Sequence, residues 1–455
     1  MRGFDYFFII LCALMQNNKQ NIMISNEEKQ GILDLMHQQI VPAIGCTEPV
    51  CVALCVAKAK ELLGELPEKI ELRLSANILK NAMGVGIPGT GMIGLPIAIS
   101  LGALIGRSEL LLEVLRDCNE EAVERGREYI KEDRIDIKLE ENDPDKLYVN
   151  VICSAHGKQG EARIKTTHTN FVFLRQNDEI LLDKKNACAA SGGGENMSKK
   201  LGLTLKKVYE FATTTDLEDL RFILEAKRLN ENASNVGSQG VYGHNLGKTI
   251  SSKFGVGLLG DSIFTRVVSA TTNACDARMA GAMVPVMSNS GSGNQGICTT
   301  MPVVAFAKEK NCSEEQLIRA LTLSNLTAIY IKQHLGALSA LCGCVVASTG
   351  SSCGITYLMG GNYEQVSFAV KNMIGNICGM LCDGAKPSCA MKLTTGVSTA
   401  MLSAMLAMQN EHVTSVEGIV ENDVDRCICN LAAIGSRGMD ETDKLVLNIM
   451  THKEN

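Results

Sequence analysis

The sequence predicts an α+β fold, with an N-terminal α/β region carrying a small antiparallel sheet and a mostly helical C-terminal domain. Three observations predict it. Two-residue alternation of apolar and polar side chains is confined to residues 68–75 and 135–183. Beyond about residue 204 this alternation fades, and helix-length apolar stretches alternate with Gly/Ser/Asn loops. The chain is 45% apolar but only 4% aromatic, without Trp and with 42 Gly and 20 Met. Such a core is built from aliphatics and Met, with Gly where backbones approach closely.

The elements follow in order. Residues 1–22 read as an N-terminal extension: Phe4 to Met15 is apolar, but its 12 residues fall short of a membrane helix, which needs roughly 20. Arg2 imitates a signal peptide, yet no small-x-small cleavage pattern follows. The natural start is expected near Met23, with Ser25-Asn26-Glu27-Glu28 as a helix cap. Residues 23–66 hold two helices, expected to pack on the C-terminal domain, broken at Val41-Pro42-Ala43-Ile44-Gly45-Cys46-Thr47-Glu48-Pro49. Residues 67–203 form an α+β domain, with a strand at 68–75, a Gly-rich segment from Asn81 to Pro96 and a charged helix over 108–132. Antiparallel strands follow between 135 and 183, then a linker at 187–203. Residues 204–455 form the helical domain, with helices at 205–231, 245–258, 300–310, 314–336, 364–381, 395–410 and 421–436.

The net charge of −6, without a long basic run, excludes a nucleic-acid surface. Eighteen cysteines in 455 residues, mostly set singly among aliphatics, fit free thiols in a reducing cytoplasm better than a disulfide framework. Cys342-Gly-Cys344 and Cys382-Asp-Gly-Ala-Lys-Pro-Ser-Cys389 differ, because Gly and Pro let the backbone turn and thiolates converge. Their spacing alone favours buried structural thiols over a metal site. If they do converge, the absence of a CxxC pair points to iron–sulfur rather than zinc.

Four separated segments change that weighting. They are Val41–Pro49, Pro88-Gly89-Thr90-Gly91-Met92, the Met287–Gly296 run MSNSGSGNQG and Gly379–Lys386. Together they make the chain, from about residue 26 to 450, resemble the L-cysteine desulfidase family, which is related to the alpha subunit of iron–sulfur L-serine dehydratases. The resemblance implies an oxygen-sensitive 4Fe–4S cluster and β-elimination of an amino acid to pyruvate and ammonia, with hydrogen sulfide from L-cysteine. It implies Cys46, Cys342 and Cys382 as ligands. Cys389 matches the third cysteine of the dehydratases, so four thiols compete for three places. It also implies that the C-terminal helical domain is the catalytic one. In the Ser288–Gln295 loop, a plain connector without this context, Ser290, Ser292, Asn294 and Gln295 become candidates for substrate-carboxylate binding. Thr90 is a further candidate of the same kind.

β-Elimination needs a base for the α-proton and a Lewis acid for the leaving group. His168 and His244 lie in loop-like polar contexts, where solvated histidines are the commoner case, and Lys392 flanks Cys389. These three are the base candidates. Asp276 and Arg278 are open to an internal salt bridge. No phosphate motif precedes a helix, which ranks a pyridoxal-phosphate route lower. The expected partner is a small amino acid, with neither nucleic acid nor membrane, and a homodimer is the candidate assembly. L-Serine dehydratase chemistry on the same cluster is the nearest alternative. A non-enzymatic redox-sensing or structural thiol protein is the other.

Overall fold

The computed structural model describes residues 24–141, 143–184, 200–336 and 339–453. The 1–22 extension and most of the 187–203 linker lie outside the described residues. The fold is α+β, with a sheet region followed by helices.

Helix α1 (Asn26–Gln39) opens on a capping box, in which Ser25 Oγ accepts from Glu28 N–H at 3.2 Å and Glu28 Oε2 accepts from Ser25 N–H at 2.9 Å. Strand β1 (Pro42–Ile44) follows, then α2 (Thr47–Leu63), which is apolar on nearly every face and buried. The two helices do not share a neighbour as expected. Helix α2 lies against the N-terminal sheet, while α1 reaches the C-terminal helices.

Strand β2 (Lys69–Leu74) leads into α3 (Ala76–Ala82), α4 (Leu95–Leu104) and α5 (Glu120–Lys131). The single helix expected over 108–132 is interrupted: a 3-10 turn at Ser108–Glu113 holds Leu111 at φ 50°, and Asn119 caps a new start. Strands β3 (Ile135–Leu139), β4 (Tyr148–Ala155), β5 (Lys158–Lys165), β6 (Phe171–Gln176) and β7 (Glu179–Asp183) complete the sheet. Its order is β3-β2-β4-β5-β6-β7. All pairings are antiparallel except β2–β3, which is parallel because α3, α4 and α5 carry the chain across between them. The expected antiparallel sheet is therefore mixed, with the early strand at its interior. Helix α2 lies on β5 so closely that a Cβ on Gly160 would come 2.2 Å from the Ala59 carbonyl oxygen.

The helical region comprises α6 (Leu205–Thr214), α7 (Leu217–Leu220), α8 (Leu224–Gln239), α9 (Leu246–Ser251), α10 (Lys253–Leu259) and α11 (Ile263–Met279). Strand β8 (Pro285–Met287) follows, then α12 (Gly293–Glu309), α13 (Glu314–Leu335), α14 (Gly343–Leu358) and α15 (Tyr363–Ile377). The chain closes with α16 (Cys389–Met408), α17 (Val424–Ala433) and α18 (Asp440–Thr451). Helix α14 is central, touching α12, α13, α15 and α16. Helices α4, α11 and α14 are absent from the sequence expectation. No helix among the described residues is long and apolar enough to cross a membrane.

The link that positions the site is a two-stranded sheet. β1 pairs antiparallel with β8, Pro42 opposite Met287 and Ile44 opposite Pro285. It joins the break after α1 to the Ser288–Gln295 loop, and Ser288 adds a backbone and a side-chain hydrogen bond to the Val41 carbonyl at 2.9 and 2.6 Å.

Candidate active site

Cys342 and Cys382 are brought together by backbone. Leu341 and Leu381 form an isolated antiparallel bridge. The Cys342 N–H donates to Met380 O at 2.9 Å, and the Cys382 N–H to Ala340 O at 2.7 Å. The α14–α15 pair is thus a loop whose two ends meet, with the two thiols as neighbours. The Cys342 thiol holds Cys382 below the ordinary thiol value, helped by Lys80, the Gly384 N–H and Lys392. The Cys382 thiol, with burial, drives Cys342 upward.

Three lysines surround this pair. Lys80, only 1% exposed, donates to Cys382 O at 3.4 Å and pairs with Asp443 of α18. Lys392 donates to Leu381 O at 2.8 Å and pairs with Asp383. Lys332, in the last turn of α13, is 8% exposed and makes no hydrogen bond or ion pair among the described residues. Burial pulls it down to about 8, against the opposing pull of Cys382, Cys342 and Glu48.

The β1–β8 link delivers the second half. Gly45 takes φ 74° and Cys46 caps α2 without a side-chain hydrogen bond. The Cys46 thiol donates instead to Glu48 Oε2 at 3.0 Å. Burial first, then Glu48, raises it well above the ordinary thiol value. Thr47 Oγ1 lies 3.0 Å from Glu48 Oε2 and from Gly291 O, and Asn81 Nδ2 donates to Glu48 Oε1 at 3.1 Å. Burial raises the Glu48 carboxyl, but His168 and these hydrogen bonds outweigh it and leave it below the usual carboxylate value.

His168 reaches this junction from the β5–β6 turn, where a Cβ on Gly291 would sit 3.7 Å from its Cε1. Its Nε2 is buried without a partner. Burial lowers the imidazole below its ordinary value despite the field of Glu48, which favours the uncharged ring.

The remaining expected residues divide. Gln295, 4% exposed, lies against Gly343 beside Cys342, and its Oε1 is buried without a partner. The Ser292 hydroxyl caps α12 by accepting from Gln295 N–H at 3.4 Å, and that of Ser290 donates to Asn289 Oδ1 at 2.9 Å. Asn294 is committed to structure: its Oδ1 accepts from Arg278 at 2.9 Å. Arg278 also donates to Gly45 O at 2.8 Å, so the open Asp276–Arg278 salt bridge does not form. Asp276 accepts from Gly247 N–H at 3.0 Å instead. The Thr90 hydroxyl closes its own turn onto Ile87 O at 2.8 Å, and Pro88 packs on Gly45. His244 is exposed, in a turn that lies against Asp276 and Pro387. Burial would lower Lys392, but Asp383 and the neighbouring thiols lift it above the ordinary lysine value, which suits a fixed cation and not a base. The Cys389 thiol turns back toward Gly384 O at 3.7 Å.

Among the described residues no three His, Cys, Asp or Glu side chains gather closely enough to hold one metal ion. A cluster attaches each thiolate to a different iron and so spaces its ligands more widely. The adjoining soft thiols, ringed by Lys80, Lys332 and Lys392, fit such an anionic group. The two surface hollows lined by Arg228 and Cys312 and by Glu421 and Arg426 include no residue of this junction.

The family model described as serine dehydratase alpha chain matches residues 109–448, and the chain belongs to that family. It is 62% identical over 431 residues to a protein of Bacteroides thetaiotaomicron named only UPF0597 protein, covering 95% of this chain and 99% of that one. A UPF0597 protein of Oleidesulfovibrio alaskensis is 47% identical, covering 93% and 98%. One of Actinobacillus pleuropneumoniae is 44% identical, covering 94% and 98%.

Sequence reasoning missed Glu48 as a site residue, and it missed Asn81, Lys80 and Lys332. The one signal in reach was the acid inside the Gly45–Pro49 break. The others sit in helical stretches where a lone amide or lysine reads as solvated surface.

Proposed function

We propose that the protein is an iron–sulfur β-eliminating lyase that converts L-cysteine to pyruvate, ammonia and hydrogen sulfide in the cytoplasm. The observation that carries this reading is the Cys342–Cys382 thiol pair, ringed by Lys80, Lys332 and Lys392. A 4Fe–4S cluster, when held by Cys46, Cys342 and Cys382 with Cys389 as the competing thiol, supplies a Lewis-acidic iron, and a soft thiolate leaving group suits it.

The chain's own residues account for the rest. His168, half-buried with its Nε2 unpartnered, takes the α-proton on that nitrogen. The freed electron pair forms the Cα–Cβ double bond as the Cβ–S bond breaks, and sulfide departs. The aminoacrylate tautomerises to an imine, and water hydrolyses it to pyruvate and ammonia. The N-terminus of α12, with Gln295, supplies donors for the substrate carboxylate. Lys332 balances the negative charge of the thiolates. Lys80 and Lys392 fix the Cys382 segment through its carbonyls.

L-Serine dehydration is the second reading, and the family match favours it. The ratio of kcat/KM for L-cysteine and L-serine, measured anaerobically, decides between them. A ratio above one supports desulfidation, and a ratio below one supports dehydration.

A further inference from the structure

We infer that the polar face of α3 recognises the α-ammonium group of the amino-acid substrate, an assignment that rests on the lyase reading above. Asn77 and Asn81 lie one helical turn apart, so they share a face. They are 7% and 8% exposed. The Asn81 amide nitrogen donates to Glu48 Oε1 at 3.1 Å. Of the two amide atoms only the nitrogen can donate to a carboxylate, so the Asn81 oxygen is turned away from Glu48. The Oδ1 atoms of both asparagines are buried without a partner. Glu48 accepts from Cys46, Thr47 and Asn81 but forms no ion pair among the described residues.

A half-buried carboxylate that forms no ion pair, beside the unused acceptor of Asn81 and one turn from that of Asn77, suits a small cation rich in donors. A primary ammonium carries three N–H donors and no acceptor, which matches. A metal ion fits less well, since among the described residues no cluster of three ligating side chains is formed. A further donor, Arg278 Nε, is buried without a partner under Gly293 at the start of α12. The zwitterion is thereby oriented, with its ammonium toward α3 and its carboxylate toward α12.

The test compares L-cysteine with 3-mercaptopropanoate, which lacks only the amino group, on anaerobically prepared holoenzyme. Asn77→Leu and Asn81→Leu each raise KM for L-cysteine about tenfold or more, the loss expected for a hydrogen bond to a charged group. Each leaves the inhibition constant of 3-mercaptopropanoate within about twofold. Asn77→Asp, which keeps an acceptor, retains tight L-cysteine binding, and thermal melts verify folding of all three variants. Equal weakening of substrate and inhibitor, or no change in either, overturns the assignment while leaving the lyase reading intact. Absence of pyruvate release by the unaltered holoenzyme from both L-cysteine and L-serine overturns the reading and the assignment together.

Discussion

Cys342 and Cys382 meet because two short backbone segments pair, not because their spacing prescribes it. Their place beside Gly and Pro made them legible as candidates, but only the Leu341–Leu381 bridge joins them. Replacing Cys382 by Ala is expected to abolish pyruvate release together with bound iron, measured by iron analysis and turnover. A merely structural thiol would cost stability and leave any activity in proportion to folded protein. His168→Asn is expected to lower kcat by about 10²–10⁴-fold, the usual share of a general base, while iron content stays unchanged. Because burial holds the His168 pKa below its ordinary value, the neutral imidazole persists to lower pH than a solvated histidine would. The kcat/KM of the native enzyme therefore falls only as pH drops through that depressed value, and the variant loses this acid limb. Glu48 and Lys332 were not legible as members of one site, since neither neighbours the other in sequence. A lysine in a last helical turn also reads as a dipole complement.

The elements the sequence conveyed least are those most deeply buried. Helices α11 and α14 are rich in Thr, Ser, Gly, Val and Cys, residues of modest helix propensity. Tertiary burial overrides that propensity, because small side chains let α14 lie against four helices at once. Gly350 marks the tightest approach on α14, where a Cβ would come 2.3 Å from the Ser324 carbonyl oxygen of α13. Gly350→Ala is expected to destabilise by about 1–3 kcal/mol despite alanine's better helix propensity. Gly257, with nothing within 4 Å of its Cβ position, serves as the contrast. Gly257→Ala is expected to be neutral or to stabilise by up to about 1 kcal/mol. Denaturant titration of the two variants checks both signs. The strands, in contrast, were readable because alternation has period two whatever the topology. The parallel β2–β3 pairing was not readable, because it depends on where the intervening helices carry the chain.

At the scale of the whole molecule, the site is assembled from both regions of the chain. The β1–β8 pairing brings Cys46 and Glu48 to the Ser288–Gln295 loop, and the β5–β6 turn brings His168 to the same place. Helix α18 closes the arrangement from the C-terminal end through the buried Lys80–Asp443 pair. Asp443→Asn leaves Lys80 buried without its counter-charge, an uncompensated state expected to cost about 3 kcal/mol, read as a lower denaturation midpoint. None of these ties is visible as a local pattern, which explains why the site's residue types were legible and their partnership was not. These scattered residues are proposed to enclose a substrate-binding iron–sulfur cluster. The most direct test of such a cluster is iron and acid-labile sulfide analysis of anaerobically purified protein, with pyruvate release measured on the same sample. The protein is expected to be brown, with about four irons and about four sulfides per chain, and to lose pyruvate release as air bleaches the colour. A colourless, iron-free protein that releases pyruvate from L-cysteine at an undiminished rate would contradict that proposal.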